Sequence, residues 1–322
     1  MLIYFLLHRI KSKTFNVFVF SLFLSVSALF SQNIKIKNIK LNNKLNHFAA
    51  NMNKGKVYFS QNKLNSKGKP VKTRLNTYLY TLVSGYVDSQ GEISNLRPAS
   101  DSKLGFANVS VATFTNDGKF MYFTTNSDII GENKSKDFRT FNLQIHRAEY
   151  IEGKGWSNPT ELSFCDKDYS YAHPTLSKDG KTLYFVSNMK GTKGRTDIFK
   201  VSIFEHKSYG EPERLGDNIN SPRTELFPFI SSDNKIYFSS NRRGGLGGYD
   251  IYSFDLNNED EKQQPKLLPE PINSIGEDFS FYLMDDGKRG FFTSRRVDGK
   301  GDDDIYYFKG FQASKPVLNL AD

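Results

Sequence analysis

An all-β chain closed into a five-bladed β-propeller of four-stranded antiparallel blades is the fold the sequence predicts, and three observations predict it. Aromatic content is 14 %, carried by 28 Phe and 17 Tyr against a single Trp. These side chains concentrate in short runs such as TLYFVS and IYFSSN, which suit strands. The chain also repeats itself: HPTLSKDGKTLYFVSNMKGTKGRTDIFKVSI from His173, FPFISSDNKIYFSSNRRGGLGGYDIYSFDL from Phe227 and FSFYLMDDGKRGFFTSRRVDGKGDDDIYYF from Phe279 align by eye. Looser copies begin at His47 and Val111, and the turn residues Asp117, Asp179, Asp233 and Asp286 are 62, 54 and 53 residues apart, a period that fits one blade. A six-bladed ring is the alternative architecture.

Residues 1–32 read as a secretory signal peptide: Arg9, Lys11 and Lys13 precede the 16-residue apolar run Phe15–Phe30, with small residues for cleavage between Ala28 and Asn33. A membrane anchor is the competing reading, but a span takes about 20 apolar residues. The apolar MLIYFLL ahead of the basic cluster points to a later translation start. The propeller then occupies 33–308, followed by a tail, 309–322.

Next comes IKIKNIKL, Ile34 to Leu41, whose near alternation of Ile and Lys suits a half-exposed edge strand. The last copy lacks a fourth strand of its own, because Pro316 falls where ladder donors are needed. Ile34–Leu41 is therefore expected to pair on the outer edge of the blade that contains Asp304, joining the two ends of the chain.

Within each copy, Asp117-Gly118, Asp179-Gly180 and Asp286-Gly287 predict tight type I′ hairpins. A β-rich second strand follows, then a Gly-rich link, a third strand such as DIYSFD, and a short fourth strand before the next copy. GGLGG at Gly244–Gly248 is read as such a link. It runs from strand to strand, whereas a phosphate-binding glycine run must open a helix. Asp197, Asp250 and Asp304 each lie nine residues beyond Asn188, Asn241 and Arg295 and are expected to cap backbone amides of their links.

Eleven bases and no acid lie between Asn33 and Val87, leaving the rest of the mature chain mildly acidic. That asymmetry suits an anionic partner surface or, equally, a solvated lysine-rich edge. Cys165 is the single cysteine, so no intramolecular disulfide forms, and it reads as a buried thiol. Arg195, Arg242, Arg243, Arg295 and Arg296 recur in the same region of three consecutive blades. They are the candidate binding residues, because Arg is enriched at interface hot spots.

The repeat stretches quoted above resemble the propeller repeats of OmpA-family envelope proteins of Bacteroidota, the PorE-type proteins linked to type IX secretion and gliding, and more distantly TolB-like and WD-type propellers. The resemblance is specific from Phe106 to Phe308. It implies a periplasmic, outer-membrane-associated module that binds envelope proteins and performs no catalysis. Helical repeats and a peptidoglycan-binding OmpA domain accompany the propeller in that family and are not recognised here, so direct peptidoglycan binding is not expected.

Other chemistries find weaker support. A glycan-binding or glycoside-active propeller would need carboxylates converging at the hub, and Asp168, Glu225 and Asp278 precede innermost strands. SKDGKTL at Ser177 lacks the glycine spacing of a sialidase repeat and reads as a hairpin. His47, His146, His173 and His206 show no metal-ligand spacing, and DGKGDDD, Asp298–Asp304, lacks the calcium-loop order, so neither metal nor cofactor is expected. His173, before Pro174, reads as a hub-lining structural residue. Export disfavours nucleic acid as a partner.

Overall fold

The computed structural model describes residues 33–73, 76–99, 104–106, 108–126, 142–205, 208–260 and 262–313. The expected signal peptide and most of the tail lie outside them. Among the described residues, 21 strands form five antiparallel sheets and no α-helix occurs.

Blade 1 comprises β2 (His47–Asn53), β3 (Lys56–Asn62), β4 (Tyr80–Val87) and β5 (Ile93–Pro98), and blade 2 comprises β6 (Val109–Phe114), β7 (Phe120–Asn126), β8 (Leu143–Ile151) and β9 (Gly155–Glu161). Blade 3 runs β10 (Tyr171–Leu176), β11 (Thr182–Ser187) and β12 (Asp197–Phe204), and its outer position is split between β13 (Ser208–Tyr209) and β14 (Glu213–Arg214), both paired to β12. Blade 4 is β15 (Glu225–Ile230), β16 (Lys235–Ser240), β17 (Asp250–Asp255) and β18 (Lys266–Leu267). Blade 5 takes β19 (Asp278–Leu283), β20 (Arg289–Ser294) and β21 (Asp304–Lys309) from the end of the chain and β1 (Lys35–Asn38) from its beginning.

The ring thus has five blades and closes by a shared blade. β1 pairs antiparallel with β21, from Lys35 opposite Lys309 to Asn38 opposite Tyr306. Ile34 and Ile36 pack into the cluster between blades 4 and 5, and Ile39 into the one between blades 5 and 1. Each of the five seams has such a cluster, because a sheet with two apolar faces can bury both only between neighbours.

The fourth strands of blades 3 and 4 are short because an asparagine replaces part of the ladder. Asn220 accepts from Ile198 N–H at 2.7 Å and donates to the carbonyls of Ile198 and Leu215. Asn273 does the same for Ile251 and Leu268, and Asn42 brackets Ile305 in blade 5. All three are buried, so a full set of partners is what makes them tolerable there.

The Asp-Gly hairpins depart from the expected type I′ geometry. Only the glycines are left-handed, Gly118 at φ 66°, Gly180 at 70° and Gly287 at 65°. The aspartates satisfy the turn with their side chains instead: Asp117 accepts from Thr115 Oγ1 at 2.6 Å and Lys119 N–H at 3.0 Å, and Asp179 accepts from Ser177 and Lys181 in the same way. Two consecutive left-handed residues occur in the β2–β3 turn, at Lys54 (46°) and Gly55 (75°).

Candidate functional site

Antiparallel strand order puts the links between second and third strands, and the connections between blades, on one face of the ring. On this link face the repeated aspartates organise the backbone. Asp197 accepts from the amides of Lys193 (2.9 Å) and Gly194 (3.1 Å), and Asp250 from those of Leu246 (2.9 Å) and Gly247 (3.1 Å). Asp304 holds Lys300 and Gly301 likewise and receives Asn38 Nδ2 at 2.9 Å, so it also fastens the closing strand. Each link then lies against the next blade: a Cβ on Gly194 would sit 1.8 Å from the Arg223 carbonyl, and one on Gly247 1.9 Å from that of Gly276.

The five candidate arginines do not form one surface. Arg242 and Arg296 are drawn inward, with side chains only 15 % and 11 % exposed. Arg242 Nη2 meets Glu225 at 3.2 Å and the Ile219 carbonyl, and Arg296 Nη2 meets Asp278 at 2.9 Å and the Ile272 carbonyl. Each guanidinium also lies over two rings, Phe238 and Tyr252 in blade 4 and Phe292 and Tyr306 in blade 5. Arg295 is half-exposed and bonds Asp303 and Glu277, both at 2.6 Å. Arg195 and Arg243 are exposed, with no ion-pair partner among the described residues.

Nor do the candidate acids converge. Glu225 and Asp278 are fully buried, and each is consumed by its arginine and by a serine of the preceding connection, Ser221 or Ser274. Burial pushes the Glu225 carboxyl above its ordinary range, against bonds from Ser221 and Ser240. Asp168 is exposed in a turn, where its amide donates to Asp166. In blade 3 the positions of Glu225 and Arg242 are taken by Tyr171 and Met189, so the same seam can be built without charge.

The hub is closed by a device repeated in every blade. Each innermost strand carries a bulge with one left-handed residue, Ala49, Val111, His173, Phe227 or Ser280, at φ 40° to 57°. Three of the bulge amides donate to a hydroxyl on the second strand of the preceding blade: Ala49 to Thr293, Val111 to Ser60 and His173 to Thr124. Blade 3 has Val186 at the hydroxyl position, and Phe227 N–H donates to His173 Nδ1 at 3.2 Å instead. Phe48, Phe227 and Phe279 fill the axis with His173, whose ring is stacked on Phe227.

Towards the opposite, hairpin face lies a cavity of about 100 Å³ lined by polar groups including Asn51, Asn116, Ser177 and Ser231. Lys178 and Asp285 bridge blades 3 and 5 there at 3.1 Å. Asp285 is the one acid lining it, so neither this cavity nor the hub brings Asp168, Glu225 and Asp278 together. Cys165 is half-buried and burial pushes its thiol up to about 12. Among the described residues no group of three His, Cys, Asp or Glu is placed to hold a metal ion.

No protein-family model matches the sequence, and no curated protein matches it. Solved structures do match. TolB from Acinetobacter baumannii is 16 % identical, over 79 % of this chain and 51 % of its own, with a TM-score of 0.38. A puromycin-hydrolyzing peptidase of Mycobacterium tuberculosis is 14 % identical over 81 % and 45 %, with a TM-score of 0.46. RS223-beta-xylosidase is 16 % identical over 85 % and 94 %, with a TM-score of 0.49. The chain therefore spans about half the length of TolB and of the peptidase, and the likeness is one of fold alone.

Proposed function

We propose that this protein is a non-enzymatic, exported β-propeller that binds protein partners through its link face, as a periplasmic, outer-membrane-associated component of an envelope assembly of the type IX secretion or gliding kind. The observation that carries this reading is how the polar groups are used. The hub is filled with aromatic side chains and two of the three candidate acids, Glu225 and Asp278, are spent on buried arginines, whereas Arg195 and Arg243 stand exposed on a backbone fixed by Asp197 and Asp250. A rigid face with unpaired arginines suits recognition. The envelope assignment follows from the apolar leader and from the resemblance of the repeats to OmpA-family propellers.

Crosslinked pull-downs from the native envelope test this. Arg195→Ala with Arg243→Ala should reduce recovery of specific partners without changing the melting temperature, since neither side chain is paired. Equal recovery would remove this face from consideration, and hydrolysis of a glycan by the purified protein would overturn the non-enzymatic reading.

A further inference from the structure

Three seams on the link face are built alike and carry different chemistry. Between blades 3 and 4, Arg195 N–H donates to the Arg223 carbonyl at 2.8 Å, and Lys193, Arg195 and Arg223 surround the contact. Between blades 4 and 5 the equivalent bond joins Gly248 to Gly276 at 3.0 Å, and the positions of Lys193, Arg195 and Arg223 are held by Leu246, Gly248 and Gly276. Between blades 5 and 1 the position of Leu246 is Lys300. Apart from the Glu277–Arg295 pair, which is closed on itself at 2.6 Å, the middle seam is therefore an apolar gap in a charged rim. Leu246 is 43 % exposed, Ile275 82 % and Val297 95 %.

We infer that this seam anchors an acidic peptide segment of a partner protein, with an apolar side chain of that segment covering Ile275 and its carboxylates lying towards blade 3. The inference rests on the binding-module reading above and names its partner class. Charge complementarity sets the occupant and its direction. Arg195, Arg223 and Arg243 lie on the blade 3 and 4 side, exposed and without ion-pair partners among the described residues. Of the acids in these connections, Asp217 is engaged by Lys193 at 2.9 Å and Arg214 at 2.8 Å, and Glu277 by Arg295. On the blade 5 side, exposed Asp298 and Asp302 would repel an anionic bilayer laid flat on this face, which favours an elongated ligand of uneven charge over a lipid surface. The platform is rigid, because Gly247 and Gly276 pack backbone on backbone and exclude any side chain there. An exposed isoleucine and valine, stiff at χ1 and held on such a platform, cost little ordering on binding.

Selection of displayed random decapeptides on the full-length mature protein tests the proposal. Enriched sequences should share an apolar residue with two or more acids on one side of it. Their affinity, read by fluorescence anisotropy, should fall at least tenfold in Ile275→Asp and in Arg223→Glu with Arg243→Glu, and should weaken with salt. Melting temperature controls for folding. Enrichment of basic or uncharged peptides, or affinities unmoved by both variants, would overturn the proposal. So would pelleting with phosphatidylglycerol vesicles that Ile275→Asp leaves unchanged, which would put a membrane on this face. Partner recovery lost in the Arg195 and Arg243 variant, with no acidic and apolar pattern in the selection, would keep the binding module and remove this partner class.

Discussion

The imidazole of His173 lies 3.8 Å from the Phe227 ring at an interplanar angle of 9°, and its Nδ1 accepts the Phe227 amide proton at 3.2 Å. One side chain thus fills the axis and completes the backbone of the next blade. It does so where Val186 has displaced the hydroxyl that accepts the bulge amides of Ala49, Val111 and His173. His173→Phe keeps the stack but strands a part-buried N–H, which costs up to about 1–3 kcal/mol. Adding Val186→Thr restores the hydroxyl and should recover most of that loss. Chemical denaturation of the single and double variants measures it, and a double variant no more stable than His173→Phe would refute the exchange.

Stability should fall in acid over a window set by buried histidines. Desolvation lowers His173 to about 3 and His47 and His146 to about 4, from an ordinary 6.5. Below pH 6.5 the unfolded chain binds protons that the folded chain does not. Each group therefore removes stability at about 1.4 kcal/mol per pH unit until its own folded value is reached. Glu225, Asp250 and Asp303 are raised by burial and act in the opposite sense, favouring the fold as they protonate. His173→Gln retains an acceptor without a titrating group, so its stability measured between pH 7 and 4 should decline less steeply than that of the native protein.

Much of this architecture was legible because a repeat shows its own grammar. Asp197, Asp250 and Asp304 stood at a fixed distance after each second strand, and their carboxylates hold link amides. The alternation of Ile34 and Ile36 announced a strand that the last copy lacked. The site was less legible. Arg242 and Arg243 are neighbours in sequence, yet one turns into an ion pair and the other into solvent, a distinction that depends on Glu225 from another strand. The asparagine brackets are not legible in the sequence, although Ile198 to Asn220 and Ile251 to Asn273 are both 22 residues apart. Asn in a connection ordinarily signals a turn, and only the paired carbonyls show otherwise.

Blade 3 offers a template for removing the buried ion pair of blade 4. Arg242→Met alone leaves the buried Glu225 carboxyl without its cation and should destabilise the ring by about 3–5 kcal/mol. Glu225→Tyr with Arg242→Met reproduces the Tyr171 and Met189 pair and should return to within about 1 kcal/mol of the native protein, since well-packed apolar replacements of buried ion pairs are often neutral. Denaturant midpoints at pH 7 decide this. A double variant as unstable as the single one would mean that the Ile219 carbonyl and Ser240, both bonded to Arg242, matter more than the charge pair.

Ring closure depends on a strand that reaches across the whole chain. Asn38 Nδ2 donates to Asp304 Oδ2 at 2.9 Å and to Tyr306 Oη at 3.1 Å, Asn42 brackets Ile305, and Lys37 pairs with Glu92 of blade 1 at 2.7 Å. Deleting Asn33–Asn42 exposes the outer edge of β21 and opens the clusters on both sides of blade 5, because Ile34 sits in one and Ile39 in the other. Unpaired edge amides also invite association. The loss should be cooperative: a single thermal transition shifted downwards by at least ten degrees, with aggregation at lower temperature, rather than fraying of one blade ahead of the rest. Calorimetry paired with hydrogen exchange distinguishes the two. Protection lost only in β21, with the main transition unmoved, would show that blades 1 and 5 hold together without the shared strand.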